Sequence, residues 1–290
     1  MKQVRPKKQL GQHFLTDLTI ARRIADTVDA CPDIPVLEVG PGMGVLTQFL
    51  ITKPRPLKVI EIDQESVAYL KASSLPLQRK GDGALLSPSL ERLRVGASAG
   101  VGQREADWII EGDFLRMDLR ELFDGHQFVL TGNYPYDISS QIFFKMLDNR
   151  DLIPCCTGMI QREVAQRMAS QPGTKAYGIL SVMIQAWYDV EYLFTVDETV
   201  FNPPPKVKSA VIRLTRNSRQ SLGCDEQLFR RVVKAVFGQR RKMLRVSLRQ
   251  LLPQLPPSMA DHPFMTQRPE QLTIDELAQL TNMVGDAIQA

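Results

Sequence analysis

The sequence is short of the residues that hold metals and cross-link chains. It has three histidines, His13, His126 and His262, and four cysteines, Cys31, Cys155, Cys156 and Cys224. No two cysteines stand in a C-x-x-C pair and the histidines lie far from them, so neither a zinc site nor a disulfide framework is expected, and no metal is. Long hydrophobic runs are missing as well. No apolar stretch approaches the roughly 18 residues that a spanning helix needs, which argues against a membrane class. The basic residues 1–9 lack the apolar segment of a secretory signal, and the cytoplasm is the expected compartment. An excess of one charge is nearly absent: Lys plus Arg number 36 and Asp plus Glu 32, a net charge of +4. That balance is a mild hint of a nucleic-acid partner, and where the positive charge sits matters more than its sum.

What is present reads as globular. With 43% hydrophobic and 23% charged residues the chain can bury a core, and 290 residues suit one full-sized domain followed by a smaller one. Between Val36 and Arg216, short apolar β-branched runs alternate with helix-periodic segments, the pattern of an open, mostly parallel α/β sheet. Strands are predicted at residues 35–39, 56–60, 107–111, 128–132, 156–161, 190–195 and 209–216, and helices at 46–51, 64–72, 139–148, 162–170 and 177–188. Residues 73–105 break the rhythm. They are rich in Gly, Ser, Ala and Pro, with Arg79, Lys80, Arg92, Arg94 and Arg104 among them, and read as an inserted, partly disordered surface loop; an extra RNA contact is the alternative. Beyond Thr215 long helices are predicted over 225–252 and 273–288, separated by the proline-rich 253–269. The expected domains are therefore 1–218, carrying the insertion at 74–105, and a small all-helical 219–290.

The first strand runs into Glu38-Val39-Gly40-Pro41-Gly42-Met43-Gly44, and a helix follows. Strand, glycine loop, helix is the layout of a nucleotide site, because glycines let the backbone turn sharply and approach a ligand at the carboxyl edge of the sheet. A hydride-transfer fingerprint, G-x-G-x-x-G, would put its third glycine where Val45 stands. Here it comes one position earlier, and G-x-G-x-G with Glu38 upstream suits S-adenosylmethionine, which has no pyrophosphate to cradle. The second strand ends in Glu61-Ile62-Asp63, where Glu61 can accept hydrogen bonds from both ribose hydroxyls. The third ends near Asp113-Phe114, where Asp113 can accept from an adenine amine. Ile62 and Phe114, beside those acids, are counted with the cofactor site. The plain alternative is that either acid caps the helix or turn after it. The fold expected is a Rossmann-like, S-adenosylmethionine-dependent methyltransferase domain with the helical domain behind it.

Thr131-Gly132-Asn133-Tyr134-Pro135-Tyr136 closes the fourth strand. The exocyclic amine of adenine is a poor nucleophile because its lone pair is delocalised into the ring. An enzyme must localise that pair and aim it. The amide oxygen of Asn133 and the main-chain carbonyl of Tyr134 can accept the two amine hydrogens and draw the nitrogen toward tetrahedral geometry, with Asn133 also bordering the cofactor. Pro135 fixes the bend, and Tyr136 can stack on the base. No general base is required, since a methylated nitrogen is acidic enough to lose its proton to water. An ordinary strand-to-turn with a buried aromatic is the alternative for this segment by itself.

With these residues in place the sequence resembles the ribosomal RNA adenine dimethyltransferase family over nearly its whole length. The resemblance rests further on Lys7-Lys8-Gln9-Leu10-Gly11-Gln12-His13-Phe14-Leu15, on Phe201-Asn202-Pro203-Pro204-Pro205-Lys206-Val207-Lys208-Ser209-Ala210-Val211 and on Phe237-Gly238-Gln239-Arg240-Arg241-Lys242-Met243-Leu244. It implies that Gln12, His13 and Leu15 flank the cofactor, and that Phe201 faces the target base opposite Tyr136 so that the two rings sandwich the adenine. For Phe201 a core aromatic before a proline turn is the alternative, and for His13 an ordinary polar residue of an N-terminal arm. It also implies the substrate: two adjacent adenosines in the 3′-terminal hairpin of small-subunit ribosomal RNA, each methylated twice, with the assembling small subunit as partner and the enzyme a monomer. Two features depart from the family pattern. Tyr134 stands where leucine or isoleucine is usual, which leaves its carbonyl role intact, and the insertion lies between the second and third strands, away from the tips that build the site.

On a helical reading Arg241, Arg245 and Arg249 share one stripe and Leu244, Leu248 and Leu251 an inward one. Together with Arg240, Lys242, Lys206 and the arm residues Arg5, Lys7 and Lys8 they offer basic patches that can hold RNA through its phosphates. A solvated charged face is the plainer reading. Two rival functions remain open here: a large-subunit ribosomal RNA methylase of the macrolide-resistance type, and a non-catalytic assembly factor that keeps the fold. The 201–211 motif and the Arg240-Arg241-Lys242 segment favour the small-subunit enzyme, and the intact tetrad and glycine loop argue against lost catalysis.

Overall fold

The computed structural model describes residues 13–73 and 108–289. The expectations for Arg5, Lys7, Lys8 and Gln12, and for the insertion at 74–105, lie outside them. Seven strands form one sheet: β2 (Val36–Val39), β3 (Leu57–Glu61), β4 (Ile109–Glu111), β5 (Val129–Thr131), β6 (Cys155–Gln161), β7 (Tyr188–Val196) and β9 (Ser209–Arg216), in the order β4-β3-β2-β5-β6-β9-β7. The pairs from β4 through β6 are parallel, and β9 runs antiparallel to β6. This is the open, mostly parallel sheet the alternating pattern predicts. Strand β2 is buried at all four positions, as a strand covered on both faces must be.

Two short elements that the periodicity did not reveal close the arm. β1 (Phe14–Leu15) pairs antiparallel with β8 (Phe201–Asn202), Leu15 opposite Phe201. A two-residue strand has no period to detect. The helix α1 (Leu18–Asp26) was also unforeseen, although its start is marked: the Asp17 carboxylate accepts from the backbone amides of Thr19 and Ile20. It buries Ala21, Ile24 and Ala25 in the core beside Val36, Val59 and Val129. Removing a side chain such as Ile24 from water is worth about 1.5–3 kcal/mol. The helices α2 (Thr47–Leu50), α3 (Gln64–Ala72), α4 (Ser139–Asp148) and α5 (Arg162–Met168) fall within or on the predicted segments.

Against the expectation of no disulfide, the sulfurs of Cys31 and Cys155, 124 positions apart in sequence, are bonded, with Cα atoms 5.8 Å apart. Cys31 follows the turn after α1 and Cys155 opens β6. Spacing along the chain holds no trace of a contact that only the fold makes.

Contacts divide the chain into two compact units. The described residues of the first fall within Met1–Ala165 and Glu191–Arg216, and those of the second within Gln166–Val190 and Asn217–Ala290. The sequence placed a single boundary at 218; the structure adds the earlier segment to the second unit. Hydrogen bonds explain the allegiance. Asn217 donates to the Gln185 carbonyl, Gly173 N donates to the Glu270 carbonyl, and Tyr177 packs edge-on against Phe237.

The second unit holds the helices α6 (Ile179–Gln185), α7 (Glu226–Gly238), α8 (Leu244–Ser247), α9 (Pro257–Ala260) and α10 (Ile274–Gln289). The long helix predicted over 225–252 is broken. α7 stops at Gly238, a poor helix residue, and α8 begins only after Met243, so Arg241 does not continue a stripe with Arg245 and Arg249. Leu244 and Leu248 are buried as expected, but Leu252 goes inward with them while Leu251 is half-buried. α10 starts with a capping box: Glu276 N donates to the Thr273 hydroxyl oxygen and Thr273 N to the Glu276 carboxylate. No helix among the described residues is long and apolar enough to cross a membrane.

Candidate active site

Strand order reverses between β2 and β5: β3 and β4 continue on one side, β6 on the other. At such a switch point the connections leave in opposite directions and open a crevice at the carboxyl ends of the strands. A cavity of about 240 Å³ lies there, bounded by the tips of β2, β3, β4 and β5 and by the arm residues His13, Phe14 and Leu15.

The glycine loop after β2 forms one wall. Gly42 has φ +55°, and a Cβ there would come within 3.1 Å of the Phe14 ring, so the turn and the close approach of the arm both require glycine. The amide of Gly42 donates to Glu61 Oε2 at 2.9 Å, and the amide of Asp63 donates to Glu61 Oε1 at 2.9 Å. One carboxylate thus ties the glycine loop to the end of β3, with lone pairs left on both oxygens. Burial pushes the Glu61 carboxyl above the usual range, against the pull of those amides.

Glu38 lies deeper, 1% exposed, and accepts from the Thr47 hydroxyl at 2.7 Å. Burial raises its carboxyl to about 8, and the charge of Glu61 adds to the effect. Asp113 borders the cavity while also capping its own turn, Oδ1 accepting from Leu115 N at 2.9 Å. The capping alternative is thus realised without taking the residue from the wall. Ile62 and Phe114 both line the cavity, the first 53% exposed and the second buried.

The opposite wall is the segment after β5. Asn133 Nδ2 donates to the His13 carbonyl at 3.3 Å, which turns the amide nitrogen toward the arm. Tyr134 N donates to the Met159 carbonyl at 3.0 Å and fixes the backbone there. The Tyr134 side chain points into the core, its hydroxyl donating to the Thr157 carbonyl at 2.9 Å. It needs the space of Gly158, whose φ is +140° and where a Cβ would lie 2.7 Å from the ring. A Cβ at Gly40 would meet the Pro135 ring at 3.8 Å, so the two loops lie side by side.

Tyr136 lines the cavity, and its ring stacks on His13 with centroids 5.4 Å apart and planes at 29°. His13 is no loose arm residue. Its Nδ1 faces the Pro203 carbonyl at 2.8 Å, and because a carbonyl only accepts, Nδ1 carries the proton. Phe201 is 4% exposed, belongs to the hydrophobic core and does not line the cavity; the ring lying against Tyr136 is that of His13. Pairing of β8 with β1 turns Phe201 inward beside Leu15, a register that the Phe-Asn-Pro motif alone does not disclose. Phe14 was missed as a wall residue. A two-residue strand leaves no alternation by which the sequence could have found it.

Of the basic residues, Lys206, Arg241, Lys242, Arg245 and Arg249 are exposed. Arg240 is engaged within its own unit, donating to the Thr174 carbonyl at 3.0 Å with Glu270 at 3.6 Å.

The cavity wall carries Glu38, Glu61, Asp113 and Asp137 and no lysine or arginine among the described residues. Phosphates call for basic partners. A ligand met by acids and bare backbone is a nucleoside without phosphates and with a positive centre, and the class that uses one on an open α/β sheet is that of the S-adenosylmethionine-dependent methyltransferases. Within it, the chain belongs to the ribosomal RNA adenine dimethylase family, which matches residues 3–80 and 97–284, and S-adenosylmethionine is its cofactor.

A Bacteroides fragilis protein named ribosomal RNA small subunit methyltransferase A is 61% identical, covering 100% of this chain and 96% of its own length. A protein of the same name from Flavobacterium johnsoniae is 46% identical and covers 100% of both chains. Among solved structures, a dimethyladenosine transferase from Plasmodium falciparum matches with a TM-score of 0.65 at 22% identity, over 94% of this chain and 98% of its own; that likeness bears on the fold. A 23S rRNA methyltransferase, ErmE, matches with a TM-score of 0.58 at 25% identity, over 94% and 99%.

Proposed function

We propose that the protein dimethylates the N6 amines of two adjacent adenosines in the 3′-terminal hairpin of small-subunit ribosomal RNA, acting as a monomer in the cytoplasm on the assembling subunit. The observation that carries this reading is the meeting of the glycine loop of β2 with Asn133-Tyr134-Pro135-Tyr136 across one acid-lined cavity.

When bound, S-adenosylmethionine supplies an electrophilic methyl on a positively charged sulfur. Glu61 would hold the ribose through the lone pairs its amide bonds leave free, and Asp113 would accept from the adenine amine of the cofactor. Glu38, held by the Thr47 hydroxyl, would border the cofactor as a buried hydrogen-bonding acid, while Leu15, Ile62 and Phe114 would supply apolar walls. Asn133, its Nδ2 turned to the arm, presents Oδ1 to one hydrogen of the target amine. The Tyr134 carbonyl takes the other. Held in this way, the amine would present its lone pair to the methyl that the cofactor supplies; transfer would break the bond from that methyl to sulfur, leave a neutral thioether behind, and let the methylated nitrogen give up a proton to water. Tyr136 stacks on the extruded base, worth about 1–3 kcal/mol. Phe201 supports this wall from the core. Lys206, Arg241, Lys242, Arg245 and Arg249 hold RNA phosphates, with Arg5, Lys7 and Lys8 of the arm, and Gln12 sits with His13 beside the cofactor.

The test is methyl transfer to small and large ribosomal subunits from cells lacking the protein, with modified adenosines mapped by primer extension. Two adjacent dimethylated adenosines in small-subunit RNA are expected. Modification of large-subunit RNA alone would transfer the assignment to the macrolide-resistance type, and tight cofactor binding without transfer would make the protein an assembly factor.

A further inference from the structure

Tyr136 is held by a residue outside the cavity. Ser209, the first residue of β9, is fully buried and faces Gln161 across the sheet. It does not border the cavity. Its hydroxyl shares a hydrogen bond with the Tyr136 phenol. The phenol oxygen lies on the axis about which the ring turns, so this bond fixes where the axis points but not the tilt of the plane. His13 supplies the tilt: its ring lies against the face of Tyr136, and it is itself anchored to the Pro203 carbonyl. One aromatic ring is thereby clamped at its edge by a buried strand and on its face by the arm.

We infer that Ser209 is a positioning residue for the target base, setting the attitude of the Tyr136 ring on which the adenine stacks. The inference rests on the proposed role of Tyr136. A ring free to swing spends less time in the geometry that brings the amine to Asn133, and the loss falls on transfer to RNA. Cofactor affinity is untouched, because Ser209 reaches no part of the cofactor wall. Burial pushes the Tyr136 phenol above its ordinary range, so it stays a hydrogen-bonding neutral group through the pH range of an assay.

The experiment is a double-mutant cycle with Ser209→Ala and Tyr136→Phe, each of which deletes the same bond from one side. Each variant is expected to lose roughly tenfold in kcat/KM for the RNA substrate, the scale of one hydrogen bond, with the dissociation constant for S-adenosylmethionine unchanged. The double variant should lose no more than either single one. Losses that multiply in the double variant, or wild-type kcat/KM in Ser209→Ala, overturn the positioning role. If thermal melting shows that Ser209→Ala does not fold, undiminished kcat/KM in Tyr136→Phe overturns it equally. The underlying reading is judged separately by wild-type transfer: an enzyme that transfers nothing sinks that reading and this inference with it, whereas normal wild-type transfer beside normal Ser209→Ala transfer sinks the inference alone.

Discussion

The two walls of the cavity are built on different plans. The cofactor wall is largely local: Gly42 meets Glu61 only 19 residues on, and Glu38 meets Thr47 9 residues on. Backbone amides and carboxylates do the holding, inside a β-loop-α-β stretch that carries its own hydrogen bonds. The base wall is assembled from afar. Asn133 is tied to His13 across 120 residues, His13 to Pro203 across 190, and Tyr136 to Ser209 across 73. A wall made of nearby sequence is set once its strands pair. One made of distant segments depends on the arm, the β8 loop and β9 all being in place. Binding of cofactor and transfer to RNA should therefore fail separately.

The largest effect should come from Asn133→Ala. Transfer should fall by at least about a hundredfold to a thousandfold, the scale of removing one transition-state hydrogen-bond partner, with little change in cofactor affinity by calorimetry. Undiminished single-turnover rates would remove Asn133 from the chemistry. Glu61→Gln should break the other wall, raising the cofactor dissociation constant on the order of 10–100-fold, as loss of a charged hydrogen-bond acceptor does. Equal affinity of variant and wild type would take Glu61 off the ribose.

Away from both walls, Arg241→Glu combined with Arg245→Glu should weaken RNA binding by roughly tenfold or more and flatten its dependence on salt, because fewer counterions are released. An unchanged slope in a salt titration would exclude this surface from the interface. The smallest effect concerns Glu38. Its folded-state pKa of about 8 lies above the ordinary 4.5, so the folded protein holds a proton that the unfolded chain has released, and stability falls as pH rises through that window. Glu38→Gln removes the penalty and keeps an acceptor for Thr47. Melting temperature should favour the variant increasingly from pH 5 to pH 8, in cofactor-free protein. A difference that is flat over this range would show Glu38 to be ionised in the fold.

Much of the cofactor wall was legible because its signals are short. The three glycines, Glu38 and Glu61 are strand ends and turns, and apolar β-branched runs mark the strands that carry them. The base wall was legible only at Asn133-Tyr134-Pro135-Tyr136. Phe201 was assigned to the base face, and its burial beside Leu15 comes from pairing between two-residue strands almost the length of the domain apart. The Asp17 cap of α1 went unread, because the helix it starts is short and follows directly on the arm motif. Arg240 reads as part of a basic run, but the fold spends it on Thr174 and Glu270.

By itself the sequence determined the parallel sheet, the glycine turn at its switch point and the residue types that the segment after β5 brings to the cavity, because periodicity, glycine placement and side-chain type act over a few residues. Only the tertiary structure decided that His13 lies on Tyr136, that Ser209 holds that ring, that Phe201 packs in the core, that Cys31 meets Cys155, and that residues 166–190 join the helical unit. Those outcomes turn on which distant segments come to share a surface, and chain separation carries no record of that until the core has packed.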